Sequence, residues 1–104
     1  MNSKRIQLLE QYAKEDPMDP FPRYALALEW VSTDPKKAEQ LFAQLLIDHP
    51  HYLPVYYHAA HLYHTTGDPI RAKLILEKGI QLARDLGNSK TGAELRGLLD
   101  EING

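Results

Sequence analysis

The chain has 104 residues, of which 43% are hydrophobic and 25% are charged, a composition typical of a soluble globular protein with one domain. Its formal net charge is −2, so it lacks the basic surface that nucleic-acid binding requires. It contains no cysteine, which excludes disulfides, thiolate metal ligands and cysteine nucleophiles.

The N-terminal segment begins the first of six predicted helices. It turns polar again soon after Leu9, so it has neither the apolar core of a signal peptide nor the length of a membrane span. We therefore expect a cytoplasmic protein with no membrane partner.

The remaining helices are marked by Asp-Pro dipeptides and by helical spacing of apolar residues. An Asp at the N-cap accepts backbone N–H groups, and Pro fits the first turn, so Asp34-Pro35 and Asp68-Pro69 predict helix starts. Apolar residues recur at helical spacing, without the alternation of a strand; Leu74, Ile75 and Leu82, for example, are expected to share one buried helix face. The predicted helices span about residues 3–15, 20–32, 35–48, 53–66, 69–86 and 88–102.

A shift of 34 residues superimposes one half of this pattern on the other. It aligns Asp34 with Asp68, and it brings core residues and small residues into register with residues of the same kind. The further aligned pairs are Ala25 with Ala59, Leu28 with Leu62, Pro35 with Pro69, Ala38 with Ala72, Leu41 with Ile75, Phe42 with Leu76, and Leu46 with Ile80. Since cap, turn and core residues match together, the sequence indicates an internal repeat.

The repeat resembles the tetratricopeptide repeat (TPR) family, in particular its small single-domain bacterial members. That family has a helix–turn–helix unit of this period, with W-x₂-L-G-x₂-Y in the first helix and A-x₃-F in the second. In one repeat the pattern falls on Tyr56, Ala59, Ala60, Tyr63, Ala72 and Leu76. In the preceding repeat it falls on Pro22, Ala25, Leu26, Glu29, Ala38, Phe42 and Pro50.

The resemblance implies an all-α fold, a right-handed stack of about six antiparallel helices arranged as hairpins. We expect a single domain over residues 1–104, with a half-repeat at 1–18, repeats at 19–52 and 53–86, and a capping helix at 87–104. Pro22 and Glu29 replace two aromatic core residues of the pattern. Arg84 replaces the closing proline, so the fifth helix can continue toward a C-cap at Gly87. Gly79 stands where a small side chain allows close helix packing.

In this family the first helix of each pair lines a concave surface that usually binds peptides. On the fourth helix, Tyr56, Ala59, Ala60 and Tyr63 share the core side. The candidate binding residues of the groove lie on another face, and they are Arg23, Ala27, Trp30, Tyr57, His61 and His64. Tyr, Trp and Arg dominate binding hot spots. The alternative interpretation is an ordinary amphipathic surface with Trp30 packed under a neighbouring helix.

The lysines and asparagines that clamp acidic C-terminal tails in some family members are not reproduced here. Nor do the histidines form a convincing metal site. His58, His61 and His64 are three residues apart and sweep roughly 120° around a helix, so at most two can reach one ion. We predict no metal and no cofactor, and we find no phosphate loop and no nucleophile motif.

The sequence thus predicts a protein or peptide partner, held without catalysis by an adaptor or scaffold. An acidic ligand would use Arg23 and protonated histidines, whereas an apolar ligand would use Trp30 and Tyr57. The alternative function is a homo-oligomerising structural or assembly protein, in which exposed Tyr12, Trp30 or Tyr57 would be the contacts of a weak homodimer. A histidine-based metal-binding protein is a third, less favoured interpretation.

Overall fold

A computed structural model describes residues 2–104. Within this range the chain forms six α-helices and no strand, so the predicted all-α class is confirmed. The helices are α1 (Ser3–Glu15), α2 (Phe21–Trp30), α3 (Pro35–Asp48), α4 (Pro54–Thr65), α5 (Pro69–Asp85) and α6 (Ser89–Asn103). None of them combines the length and the apolar character needed to cross a bilayer.

Helix starts are fixed by short polar side chains and by proline. Asp34 Oδ1 accepts a hydrogen bond from Lys37 N at 3.2 Å, and Asp68 Oδ1 accepts one from Arg71 N at 3.1 Å. Each proline that follows occupies the first position of its helix, where a missing N–H has no consequence. The two Asp-Pro starts predicted 34 residues apart are therefore confirmed.

Glycines end α4 and α5 by adopting left-handed backbone conformations. Gly67 has φ +92° and Gly87 has φ +68°, values open to glycine because it has no Cβ. After Gly87, Asn88 N donates to Ala83 O at 2.8 Å, which closes the C-terminal turn. Gly87 was expected to be the C-cap itself, but the C-cap residue is Leu86 and Gly87 follows it directly, where its left-handed conformation ends α5.

The chain divides into two compact units, residues 1–50 and 51–104, and the prediction of a single domain stays a prediction. In the first unit, α2 packs against both α1 and α3. The packing of α1 on α2 buries Ile6, Leu9, Ala25 and Leu26 together. Glu29, which replaces an aromatic residue of the repeat pattern, forms an ion pair with Arg5. This pair joins the start of α1 to the end of α2 and so requires that the two helices run antiparallel.

In the second unit, α5 packs between α4 and α6. The predicted core residues of α4, Tyr56, Ala59, Ala60 and Tyr63, are all buried. Gly79 is buried where α5 meets Tyr56 and Leu95, which confirms its packing role. One expectation is wrong: Leu74 is 55% exposed, because Ile75, Leu76 and Gly79 form the buried side of α5 and Leu74 lies outside it.

Candidate functional site

Arg23, near the start of α2, is held by a charged partner on α3. Its Nη1 donates to Asp48 Oδ2 at 2.8 Å, and Gln44 Nε2 donates to the other Asp48 oxygen at 2.9 Å. The hydrogen bond from Arg23 is the larger cause, and the bond from Gln44 the next, of a pKa of Asp48 that lies below its usual value. Asp48 therefore stays ionised at neutral pH, and the guanidinium charge of Arg23 is neutralised inside the first unit.

The other two candidate residues of α2 are mainly packing residues. Ala27 has no exposed surface, so, contrary to the sequence expectation, it offers nothing to a ligand. Trp30 is half-buried and packs against the cluster formed by α1 and α2. Lys37 Nζ lies 4.1 Å from the centre of the Trp30 ring, in cation–π geometry. Trp30 therefore packs against a neighbouring helix, as in the alternative interpretation, and its role in binding stays a prediction.

On α4, Tyr57 and His61 form a stacked pair. Their ring centroids are 6.3 Å apart and their planes differ by 5°. His58 meets the same tyrosine edge-on, with centroids 5.6 Å apart and planes at 81°. Tyr57 is half-buried and His61 is exposed, so the stacked pair presents aromatic surface to solvent. His64, one turn further along α4, is half-buried.

The exposed face of α4 is unusual in having no formal charge. The helix contains no Asp, Glu, Lys or Arg. By comparison, α5 contains six charged residues, namely Arg71, Lys73, Glu77, Lys78, Arg84 and Asp85. Its titratable groups are tyrosines and histidines. Desolvation, and secondarily the proximity of His61, lowers the pKa of His58. His58 is therefore biased toward the neutral ring, and the exposed surface of α4 is aromatic and carries no Asp, Glu, Lys or Arg.

Across residues 2–104, no group of three or more His, Cys, Asp or Glu side chains is placed to hold a metal ion. Imidazole in this setting can still donate and accept hydrogen bonds, since a neutral ring has one donor and one acceptor nitrogen.

Sequence reasoning missed three features of this region. It did not find Asp48, because the partner of Arg23 lies 25 residues away. It did not anticipate Lys37 on Trp30, which requires the chain to turn between α2 and α3. It identified His58 only as part of a metal pattern, although the alternation of aromatic and imidazole rings on α4 was visible as Tyr57-His58 followed by His61.

Comparison with solved structures identifies the class of fold. The chain is similar to a tetratricopeptide repeat domain protein from Salinibacter ruber determined by solution NMR, with 36% identity over 84% of this chain and 89% of that one and a TM-score of 0.78. A crystal structure of a tetratricopeptide repeat domain protein from the same organism gives 36% identity over 83% and 97% of the two chains, with a TM-score of 0.77.

No protein-family model matches the chain, and no curated protein matches it in sequence. The similarity to the Salinibacter domains spans most of both chains, however, and is matched by the repeat itself, with its paired Asp caps and buried alanines. The chain belongs to the tetratricopeptide repeat family, a class of helical repeat domains that serve as protein-interaction modules.

Proposed function

We propose that this protein is a non-catalytic interaction module that holds an apolar segment of a partner protein on the exposed face of α4. The observation that carries the proposal is the surface formed by Tyr57, His58, His61 and His64, hereafter the α4 face. It is aromatic, partly exposed and free of formal charge. Interface cores are depleted in charged residues and enriched in aromatic ones.

Binding at the α4 face requires that its side chains lose their hydration. A partner that covers the α4 face removes no Lys, Arg, Asp or Glu of that helix from water, so the large penalty for burying ions is avoided. The stacked rings of Tyr57 and His61 supply two nearly parallel aromatic faces, 6.3 Å apart between centroids. Such rigid aromatic anchors lose little side-chain entropy on binding.

The α4 face favours an apolar ligand over an acidic one. Recognition of an acidic segment was expected to depend on Arg23, but this guanidinium is already paired with Asp48 at 2.8 Å. Freeing Arg23 would leave Asp48 without its charged partner. We therefore assign the main contribution to Tyr57, with His61 and His64 as hydrogen-bonding neighbours.

The experiment begins with peptides selected from a displayed random library on the immobilised domain. The selected peptide is then titrated by calorimetry, and its footprint is mapped by amide chemical shifts. Tyr57→Ala and His61→Ala should each weaken binding at least about tenfold, as expected for hot-spot residues. Shifts should concentrate on α4, and affinity should change little with added salt.

Two matched control variants remove a tyrosine or a histidine ring from positions outside the α4 face. Tyr12 on α1 and His51 before α4 are both exposed, so Tyr12→Ala and His51→Ala should leave the affinity within about twofold. Equal losses from all four variants, or shifts centred away from α4, would contradict the proposal.

Self-association is the second candidate function, and exposed apolar side chains in the first unit favour it. Leu8 and Tyr12 project from α1, and Phe21 and Leu28 project from α2, with Phe21 52% exposed. The Phe21 and Tyr24 rings also lie 6.4 Å apart. Sedimentation velocity from micromolar to millimolar protein tests this candidate. A concentration-dependent dimer that is lost in Phe21→Ser, but kept in the control Ile70→Ser on α5, would favour self-association over binding of a different protein.

A further inference from the structure

A second feature lies in the C-terminal unit, where α5 turns into α6. An open cavity of about 230 Å³ is lined by Ala83, Arg84, Gly87, Asn88, Ser89, Gly92 and Arg96. The floor consists of small residues: Ala83 and Gly92 are both buried. Two arginines and no acidic residue line the cavity, so its lining carries a charge of +2.

The two arginines differ in how they are held, but neither is neutralised. Arg84 Nη1 donates to the neutral amide oxygen of Gln81 at 3.2 Å, which orients the guanidinium and leaves its charge uncompensated. Within the part of the chain that the structure describes, the Arg96 side chain has no hydrogen bond and no ion pair. This contrasts with Arg23 and Arg5, which are both paired with carboxylates.

Arg96 also folds back over the cavity floor. A Cβ added at Gly92 would lie 3.6 Å from Arg96 Nη2 and 3.7 Å from Nη1. The guanidinium is thus directed along α6 toward Gly92 and the cavity, where its donors have no partner on the chain. The start of α6 is capped by Asn88, which accepts from Thr91 N at 3.0 Å. The two arginines supply the charged donors of the cavity.

We propose that this cavity, hereafter the α5–α6 pocket, binds a phosphate-type dianion. Two guanidinium groups match the charge of a phosphoryl dianion, and their planar donor forks fit its oxygens. A volume of about 230 Å³ accommodates one phosphoryl group and leaves it open to solvent, so the group can be free or attached to a larger molecule. The site is separate from the α4 face, and the proposal does not depend on the proposed function.

The test follows amide chemical shifts during titration with sodium phosphate, with sodium chloride at equal ionic strength as the reference. Phosphate should give saturable shifts concentrated in residues 83–96, and chloride should not. Arg84→Gln and Arg96→Gln should each weaken phosphate binding at least about tenfold, as expected for loss of a charged hydrogen bond. Lys78→Gln changes the net charge equally at an exposed position outside the pocket and should change the affinity less than about twofold.

A third variant changes the pocket without changing its charge. Gly92→Ala would place a methyl group 3.5 Å from Ala83 Cβ, an ordinary contact, and Ala favours helix over Gly. The melting temperature should be kept or raised, while the methyl beside Arg96 weakens phosphate binding. Loss of affinity in this variant cannot be attributed to unfolding.

A further pair of titrations distinguishes the source of the phosphoryl group. The affinities of N-acetyl-phosphoserine amide and N-acetyl-serine amide are compared with that of inorganic phosphate. Tighter binding of the phosphorylated amide assigns the pocket to phosphorylated side chains. Tighter binding of inorganic phosphate assigns it to free phosphate. Shifts equal to those of chloride, equal losses in Lys78→Gln and the arginine variants, or undiminished binding in Gly92→Ala would overturn the assignment.

Discussion

Replacing Gly79 with alanine should destabilise the protein, although the same change in a helix is ordinarily stabilising. Ala exceeds Gly in helix propensity by about 1 kcal/mol. At Gly79, however, the new Cβ would lie 2.9 Å from Tyr56 Cβ, 3.1 Å from Tyr56 Cγ and 3.2 Å from Leu95 Cδ1. The Tyr56 atoms adjoin the backbone, so rotating the ring cannot remove the clash and α4 itself must move.

The expected change in unfolding free energy is the cost of overpacking minus the gain in helix propensity. Overpacking a buried site costs about 1–3 kcal/mol, and subtracting about 1 kcal/mol of helix propensity leaves a net loss of about 1 kcal/mol. For a domain of this size that corresponds to a fall in melting temperature of about 5 °C. Gly97 on α6 is the matched control, because a Cβ there meets nothing within 4 Å. Gly97→Ala should therefore raise the melting temperature.

Thermal unfolding followed by circular dichroism measures both variants, and urea unfolding gives the corresponding free energies. The informative quantity is the sign difference between the two glycine substitutions. If both variants melt higher than the natural chain by similar amounts, α4 and α5 do not approach as closely as described. The packing explanation for the glycine at position 79 would then be refuted.

Four further predictions concern caps, packing and titration. Ala72→Leu should overpack a fully buried site and lower the unfolding free energy by about 1–3 kcal/mol in urea, and an unchanged midpoint would contradict the repeat register. Asp68→Ala should cost about 1 kcal/mol by loss of the cap, while Asp68→Asn should keep most of it. The pKa of Asp48 is lowered by its bonds to Arg23 and Gln44, so the ionised carboxylate stabilises the fold at pH values above about 3.9, the pKa of Asp in the unfolded chain. This stabilisation is lost as the pH falls below that value. Asp48→Asn should therefore reduce the loss of unfolding free energy between neutral and acidic pH. The pKa of His58 is lowered by desolvation and by His61, so below about pH 6.5 the folded chain binds fewer protons than the unfolded chain and loses stability as the pH falls. The slope of unfolding free energy against pH in this range should be smaller in His58→Gln.

The helices and the repeat were determined by the sequence alone, because their signals are local. Asp34 and Asp68 cap the backbone N–H groups of residues only three positions away. The equivalence of Ala38 and Ala72 required only the 34-residue period, and both are fully buried. The six helices accordingly begin and end within about two residues of their predicted bounds.

The state of the predicted binding residues was decided only by tertiary structure. Arg23 is neutralised by a carboxylate 25 residues away, Ala27 has no exposed surface, and Trp30 is covered by Lys37 from across a turn. Helical periodicity assigns a residue to a face of its helix. It does not show whether that face meets solvent, a neighbouring helix or an opposite charge.

The same distinction explains the features found only in the folded chain. The α5–α6 pocket exists because Ala83 and Gly92 are both small where α5 and α6 meet, which leaves space between Arg84 and Arg96. Gly79 was recognisable from the repeat as a small residue, but its 2.9 Å separation from Tyr56 depends on how two helices approach. Hydrogen bonding along the chain therefore specified the helices, whereas distances between atoms of different helices specified the surfaces on which binding is proposed.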